Sequence, residues 1–191
     1  MTSEEIFKAK MEATLFIAID PDSERSGEAL LNTHNRAIAA SSRPFPEIAS
    51  LLNNLNFALA HGEGEGELME MARGTFIIIE GGWLNESNWH VRGKNVSPAK
   101  AAAIGRSVGM NHQTGILIAQ MCEAYGLPYE VVKPLPKHWK GKDGKITAEE
   151  LAYFTGYTKR TNQDERDAIL LAWVHAGLPI RVKPIGKDGG E

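Results

Sequence analysis

The chain has 191 residues, of which 42% are hydrophobic, and a net charge of −3. This length supports one sizeable core, so we expect a single domain over residues 1–191, with its core at about 14–177 and a loosely ordered tail at about 181–191. The lone Cys122 excludes an internal disulfide framework, and the apolar runs fall well short of the roughly 20 residues of a membrane span. We therefore expect a cytoplasmic protein that does not insert into a membrane.

Opposite charges are concentrated in different parts of the chain. Residues 1–91 hold 6 Lys and Arg against 14 Asp and Glu, whereas residues 92–160 hold 11 against 5. The basic part can be a binding surface for a polyanion or a set of solvated faces that balance the acidic part. Charge alone favours neither interpretation.

Apolar patterning predicts strands and helices in the first half of the chain. The predicted elements are strands over 14–20, 26–32 and 36–41, a helix over 46–60 and a strand over 74–80. Three consecutive strands favour an antiparallel meander. The Gly-Glu segment 61–67 and the segment 81–96 are predicted loops.

A long helix is predicted in the second half, because Ser97 is a good N-cap, Pro98 suits the first helical position and Gly126 stops the helix near residue 125. We expect its internal Gly109 and Gly115 to serve close packing. The elements predicted after it are a strand over 128–134 and helices near 148–155 and 163–176.

Segment 142–151, "KDGKITAEEL", resembles half of a calcium-binding loop. The first two ligand positions of such a loop would carry no carboxylate here, so calcium binding is not expected. Thr147 and Glu150 instead have the spacing of a capping box, which predicts that a helix starts at this point.

Acidic residues stand at the ends of otherwise apolar elements. Asp20 ends the first predicted strand and Glu80 ends the fourth. Asp164 and Asp167 lie three residues apart at the start of the last helix, on one face. If the two strands are neighbours, four carboxylates meet at one point, and divalent cations are the usual way to neutralise such a cluster. Two such cations stabilise the attacking water and the leaving oxygen when a phosphodiester is cut.

Each acid also has an ordinary explanation. Asp164 and Asp167 stabilise the dipole of any helix in whose first turn they lie. Glu80 can mark the point where a strand reaches solvent, and Asp20 can be a turn residue. Their shared position at the ends of apolar elements favours a common site.

The order of these elements and acids resembles the RuvC family of Holliday junction resolvases, within the RNase H-like nucleases. The resemblance runs from about residue 14 to residue 177, and it is carried by "IAIDPDSERSG", "IIIEGGW", "DERDAILLA" and the helix segment "IGRSVG". It implies an α/β fold of the RNase H-like type. Such a fold has a five-stranded mixed sheet, three antiparallel strands followed by parallel strands, flanked by helices.

The resemblance also implies site residues and cofactors. The implied catalytic and metal-binding carboxylates, which would hold two Mg²⁺ or Mn²⁺ ions, are Asp20, Glu80, Asp164 and Asp167. The implied DNA-binding residues are Trp83, Lys133, Lys137, Lys140 and Arg106. Stacking of a base on a tryptophan contributes about 1–3 kcal/mol, but a Trp83 that anchors the loop or the core is an equally good interpretation.

The leading hypothesis is a Mg²⁺-dependent endonuclease that cuts branched DNA such as a four-way junction, as a homodimer with two symmetric sites. The alternative is an RNase H-like DNA-binding protein that is inactive or has another specificity. A nucleotide-binding protein of the actin and sugar-kinase superfamily is disfavoured, because "DPDSERSG" has too few glycines to hold phosphates with its backbone. Asp22 replaces a glycine of the family and has two open roles, an extra metal ligand or a turn residue, of which the second is favoured.

Overall fold

A computed structural model describes residues 1–61, 67–85 and 97–181 of the chain. The described elements are α1 (Ser3–Glu12), β1 (Leu15–Asp20), β2 (Ser26–Asn32), β3 (Ile38–Arg43), α2 (Phe45–His61), α3 (Glu67–Arg73), β4 (Thr75–Glu80), α4 (Pro98–Ala124), β5 (Tyr129–Val132), α5 (Ala148–Thr155) and α6 (Gln163–His175). Most of the predicted loops over 61–67 and 81–96, and nearly all of the predicted tail, lie outside the described residues.

The five strands form one mixed sheet in the order β3-β2-β1-β4-β5. β1, β2 and β3 pair antiparallel, whereas β4 pairs parallel with β1 and β5 parallel with β4. The predicted fold class, three antiparallel strands followed by parallel strands with flanking helices, is confirmed.

Side chains that alternate along β1 and β4 divide the core into two layers. Ile17, Ile19, Ile77 and Ile79 pack on the face covered by α2, α3 and α4. Phe16, Ala18, Phe76 and Ile78 pack on the opposite face, against α5 and α6. Asp20 and Glu80 continue the second series, so their side chains leave the sheet on the α6 face.

All four predicted helices are present as α2, α4, α5 and α6, and the two predicted start signals, at Ser97 and Thr147, are confirmed. The Ser97 hydroxyl accepts a hydrogen bond from the Lys100 backbone N–H at the start of α4. Thr147 and Glu150 form both hydrogen bonds of a capping box at the start of α5. No helix in the described parts of the chain is both long and apolar enough to cross a membrane.

The structure adds two helices that were not predicted, α1 and α3. α1 begins with a capping box between Thr2 and Glu5, but it contains no buried residue. Only Ile6 and Ala9 of this helix pack, partly buried, against the core, so its apolar stripe is narrow. α3 begins at Glu67, a residue that the sequence analysis places in a loop.

Candidate active site

Asp20 and Glu80 end two neighbouring parallel strands. Ile19 of β1 lies opposite Ile79 of β4, and the next residue on each strand is acidic. Glu80 in turn lies opposite Val132 of β5. Because parallel strands end at the same edge of the sheet, the two carboxylates emerge side by side.

Asp164 lies in the first turn of α6 and Asp167 at the start of its second turn, and the helix packs on β1 and β2. The helix is capped by Asn162, whose side chain accepts the backbone N–H of Glu165. Gly27 of β2 lies opposite Asp20 and allows the close approach of this turn. A Cβ at position 27 would overlap the backbone carbonyl of Asp164.

Lys145 is a functional candidate that the motif analysis missed. Its Nζ lies 2.7 Å from Asp167 Oδ2, and Gln163 Nε2 donates to Asp167 Oδ1 at 2.7 Å. A tight turn holds this lysine, since the backbone N–H of Gly141 donates to the Lys145 carbonyl at 3.0 Å. The two glycines of "GKDGK" were the available signal of that turn.

The four carboxylates influence one another electrostatically. Burial, and then the charges of Glu80 and the two α6 acids, holds the pKa of Asp20 well above its usual range. Burial and the charge of Asp167 raise the pKa of Glu80 to about 7. Burial also raises the pKa of Asp164. Acids from β1, β4 and α6 therefore form one acidic cluster, defined as Asp20, Glu80, Asp164 and Asp167.

Lys145 partly neutralises the acidic cluster. Burial acts to lower the pKa of this lysine, but the hydrogen bond and the charge of Asp167 outweigh it, and the net pKa is raised. The ammonium group in turn lowers the pKa of Asp20, Glu80 and Asp164. It therefore stays protonated beside the acids.

The chemistry of the acidic cluster fits a hard divalent cation. Its four members offer only carboxylate oxygens, and each keeps part of its surface exposed to solvent. Within the described ranges, however, no three His, Cys, Asp or Glu side chains surround one point closely enough to hold a metal ion. Lys145 and Gln163 bind both oxygens of Asp167. Metal binding would therefore require rotation of these side chains.

Trp83 lies in the loop after β4 and is half-buried against α4. A Cβ on Gly115 would lie 2.5 Å from Trp83 Cζ3 and 3.0 Å from Pro21 Cγ. The Trp83 ring also meets His112 edge-on, with 6.1 Å between ring centroids. The tryptophan thus anchors its loop, as one interpretation expected, and base stacking stays a prediction.

The two internal glycines of α4 differ in their surroundings. Gly115 serves close packing, whereas nothing lies within 4 Å of a Cβ on Gly109.

The predicted DNA-binding cations are all exposed. Lys133 directly follows β5, and the charge of Lys137 reaches Glu80 and lowers its pKa. The backbone N–H of Lys140 donates to the Glu150 carboxylate. Arg106 lies in the N-terminal half of α4. Their contact with DNA stays a prediction.

Asp22 is a turn residue that also binds α4. Its Oδ1 accepts the backbone N–H groups of Glu24 and Arg25, at 2.8 and 3.3 Å. Its Oδ2 accepts a hydrogen bond from Asn111 Nδ2 at 2.8 Å. Both oxygens are therefore in use, which supports the turn role over that of a metal ligand.

Strand order and register define an α/β chain of RNase H-like architecture, with an acidic cluster at one edge of its sheet. No family model and no curated protein matches the chain. Among solved structures, it is similar to T. thermophilus RuvC in complex with Holliday junction substrate. That similarity has 13% sequence identity and a TM-score of 0.42, and it covers 85% of this chain and 92% of the other.

Proposed function

We propose that the chain is a metal-dependent endonuclease of the RuvC type, which hydrolyses phosphodiester bonds in branched DNA. The observation that carries this proposal is the convergence of β1, β4 and α6, which brings four mutually repelling carboxylates into one cluster. A structural role gives little reason to gather acids whose burial and repulsion oppose ionisation.

The acidic cluster would hold Mg²⁺ or Mn²⁺, two ions in each site. When bound, such ions activate water and stabilise the leaving oxygen of a phosphodiester. The chain's own contribution is placement, since Asp20 and Glu80 stand on rigid strand ends and Asp164 and Asp167 on a capped helix. The ammonium of Lys145, which is bound to Asp167, offsets the repulsion among these acids.

The exposed cations beside the sheet edge would bind the phosphate backbone of a four-way junction. In this proposal Lys133, Lys137, Lys140 and Arg106 contact phosphates, and Trp83 stacks on bases at the junction. Two symmetric strands of a junction must be cut, so the proposed working form is a homodimer with two sites.

A synthetic four-way junction tests the proposal. With Mg²⁺ or Mn²⁺, we expect the protein to nick the junction and expect Asp20→Asn to abolish nicking while junction binding, measured by gel shift, is retained. The matched control is Asp143→Asn, an exposed acid at φ 56°, a conformation that Asn tolerates well. This control should cut as the wild type does.

One observation favours a second candidate, a DNA-binding protein without catalysis. Both oxygens of Asp167 are already bound by Lys145 and Gln163. If these contacts persist with metal present, the cluster is a structural ion network. Junction binding without cleavage of junction, flap or single-stranded DNA, by well-folded protein with either metal, would select this candidate.

A further inference from the structure

Two loops that follow the strand-end acids dock on the same turn of α4. The first loop begins at Pro21, directly after Asp20, and the second carries Trp83, three residues after Glu80. Both side chains pack at Gly115, which has no Cβ to obstruct them. A single helical turn therefore limits how far the ends of β1 and β4 can move apart.

The first loop is held to this turn by a pair of hydrogen bonds. Asn111 Nδ2 donates to Asp22 Oδ2 at 2.8 Å, and the Ser23 backbone N–H donates to Asn111 Oδ1 at 2.9 Å. We call this pair of contacts the Asp22–Asn111 clamp. Since residues 111 and 115 are one turn apart, the clamp and the packing at Gly115 act on the same face of α4.

The loop between β1 and β2 is itself held by hydrogen bonds, so the clamp at Asp22 can influence the position of Asp20. The Ser26 hydroxyl, which is fully buried, donates to the Asp22 carbonyl at 3.2 Å and accepts the Asp22 backbone N–H at 3.0 Å. Together with the Asx turn at Asp22, these bonds tie the start of β2 to the end of β1. A displacement of Asp22 would therefore be passed to Asp20, two residues away.

We propose that Asp22 and Asn111 are positioning residues, which clamp the β1–β2 loop to α4 and so fix the Asp20 carboxylate beside Glu80 for cation binding. This inference rests on the proposed function, because it assumes that the acidic cluster binds a cation. It assigns Asp22 a role that acts through Asp20, rather than a place among the ligands.

Exchanging the two side chains separates these roles. Asp22→Asn leaves one oxygen to serve both Asn111 and the Glu24 N–H, so a hydrogen bond is lost. Asn111→Asp sets two carboxylates against each other. In the double variant Asp22→Asn/Asn111→Asp, the amide at position 22 donates to the carboxylate at position 111, and every bond of the clamp can form again.

Calorimetric titration with Mn²⁺, without DNA, gives the readout. Loss of a residue that orients a metal ligand typically weakens metal affinity about 10–100-fold. We expect a loss of this size for Asn111→Asp and a smaller one for Asp22→Asn, with most of the affinity restored in the double variant. Gln113→Glu adds the same charge on an exposed position of α4 and should change little.

The outcomes separate this inference from the proposed function. If the wild-type protein binds no Mn²⁺, the proposed function fails and the inference fails with it. If the wild type binds Mn²⁺ and both single variants bind equally well, only the clamp is rejected. If the double variant regains slow amide exchange at Ser23 but not Mn²⁺ affinity, Asp22 is itself a ligand and its positioning role is wrong.

Discussion

Lys145 supplies a cation inside a group of acids that would otherwise repel one another. Its side chain is 31% exposed, and its ammonium nitrogen lies 2.7 Å from Asp167 Oδ2. Removing one partner of a buried ion pair usually lowers the free energy of unfolding by more than the pair itself raises it. The reason is that the remaining charge is left buried and unpaired. We therefore interpret Lys145 as the group that offsets the repulsion within the acidic cluster in the folded chain.

The pKa of Glu80 predicts how stability changes with pH in the metal-free protein. Folding raises this pKa from the ordinary 4.5 to about 7, first through burial. Between these values the folded state binds more protons than the unfolded state, so the free energy of unfolding falls as pH rises. Each unit of pKa difference corresponds to about 1.4 kcal/mol, which gives an expected loss on the order of 3–4 kcal/mol.

Urea unfolding with a chelator, at several pH values across this window, measures that loss. Glu80→Gln should weaken the dependence of the free energy of unfolding on pH, because the carboxyl group that titrates is gone. Glu149→Gln, at an exposed position of α5, should leave it unchanged. Parallel curves for the wild type and Glu80→Gln would show that Glu80 titrates normally.

The acids of the candidate site were predictable from sequence, but the residues around them were not. Asp20 and Glu80 end short apolar runs, and such a position is visible without a structure. Lys145 reaches Asp167 across 22 residues through a turn that needs a positive φ at Asp143 and Gly144. A contact of that kind leaves no periodic signal, so the lysine looked like one more surface cation.

Gly27 of β2 controls the approach of α6, and its replacement tests that packing. In Gly27→Ala the new Cβ would overlap the Asp164 carbonyl, so α6 must shift. Overpacking of this kind costs about 1–3 kcal/mol, and we expect the shift to weaken Mn²⁺ binding as well. Urea unfolding and calorimetry provide the two measurements.

Gly105→Ala is the matched control for that substitution. Gly105 lies inside α4, and nothing stands within 4 Å of its Cβ position. The same change there should stabilise the protein by about 0.5–1 kcal/mol, because alanine is the better helix former. Equal effects at positions 27 and 105 would contradict the close approach of α6.

Elements with a long apolar run were predictable, whereas the helices α1 and α3 were missed, although α3 buries Met69 and Ala72. β1 and β4 are apolar runs closed by an acid, and their extent matches the prediction within one residue. α1 packs against the core only through the partly buried Ile6 and Ala9, and its other apolar residues, Phe7 and Met11, are exposed. Its capping box at Thr2 was the local signal that could have indicated it.

At the scale of the whole molecule, the uneven distribution of charge predicts how the proposed binding to DNA would depend on salt. Each phosphate neutralised by a protein cation contributes about 0.9 to the slope of log affinity against log salt for duplex DNA. We expect Lys133→Ala, Lys137→Ala and Lys140→Ala each to weaken junction binding and to reduce this slope by about that amount. Fluorescence anisotropy over a range of salt concentrations measures both effects.

A lysine outside the basic part of the sequence serves as the control. Lys8 lies on α1, is exposed and pairs only loosely with Glu12, at 4.0 Å. Lys8→Ala should leave the slope unchanged. If Lys8→Ala reduced the salt slope as much as the substitutions of Lys133, Lys137 and Lys140 do, junction binding would depend on net charge and not on a defined surface.

α6 also links the candidate site to the packing of the core. The helix contributes six consecutive buried residues, Ala168–Trp173, and contacts four strands of the sheet. Its acids are thus carried by a segment that cannot open locally without exposing the core. A chain in which α6 is not packed on the sheet has Asp20 and Glu80 at the strand ends but neither Asp164 nor Asp167 beside them. The acidic cluster is therefore complete only when α6 is packed on the sheet, so under the proposed function a chain without this packing would not cut DNA.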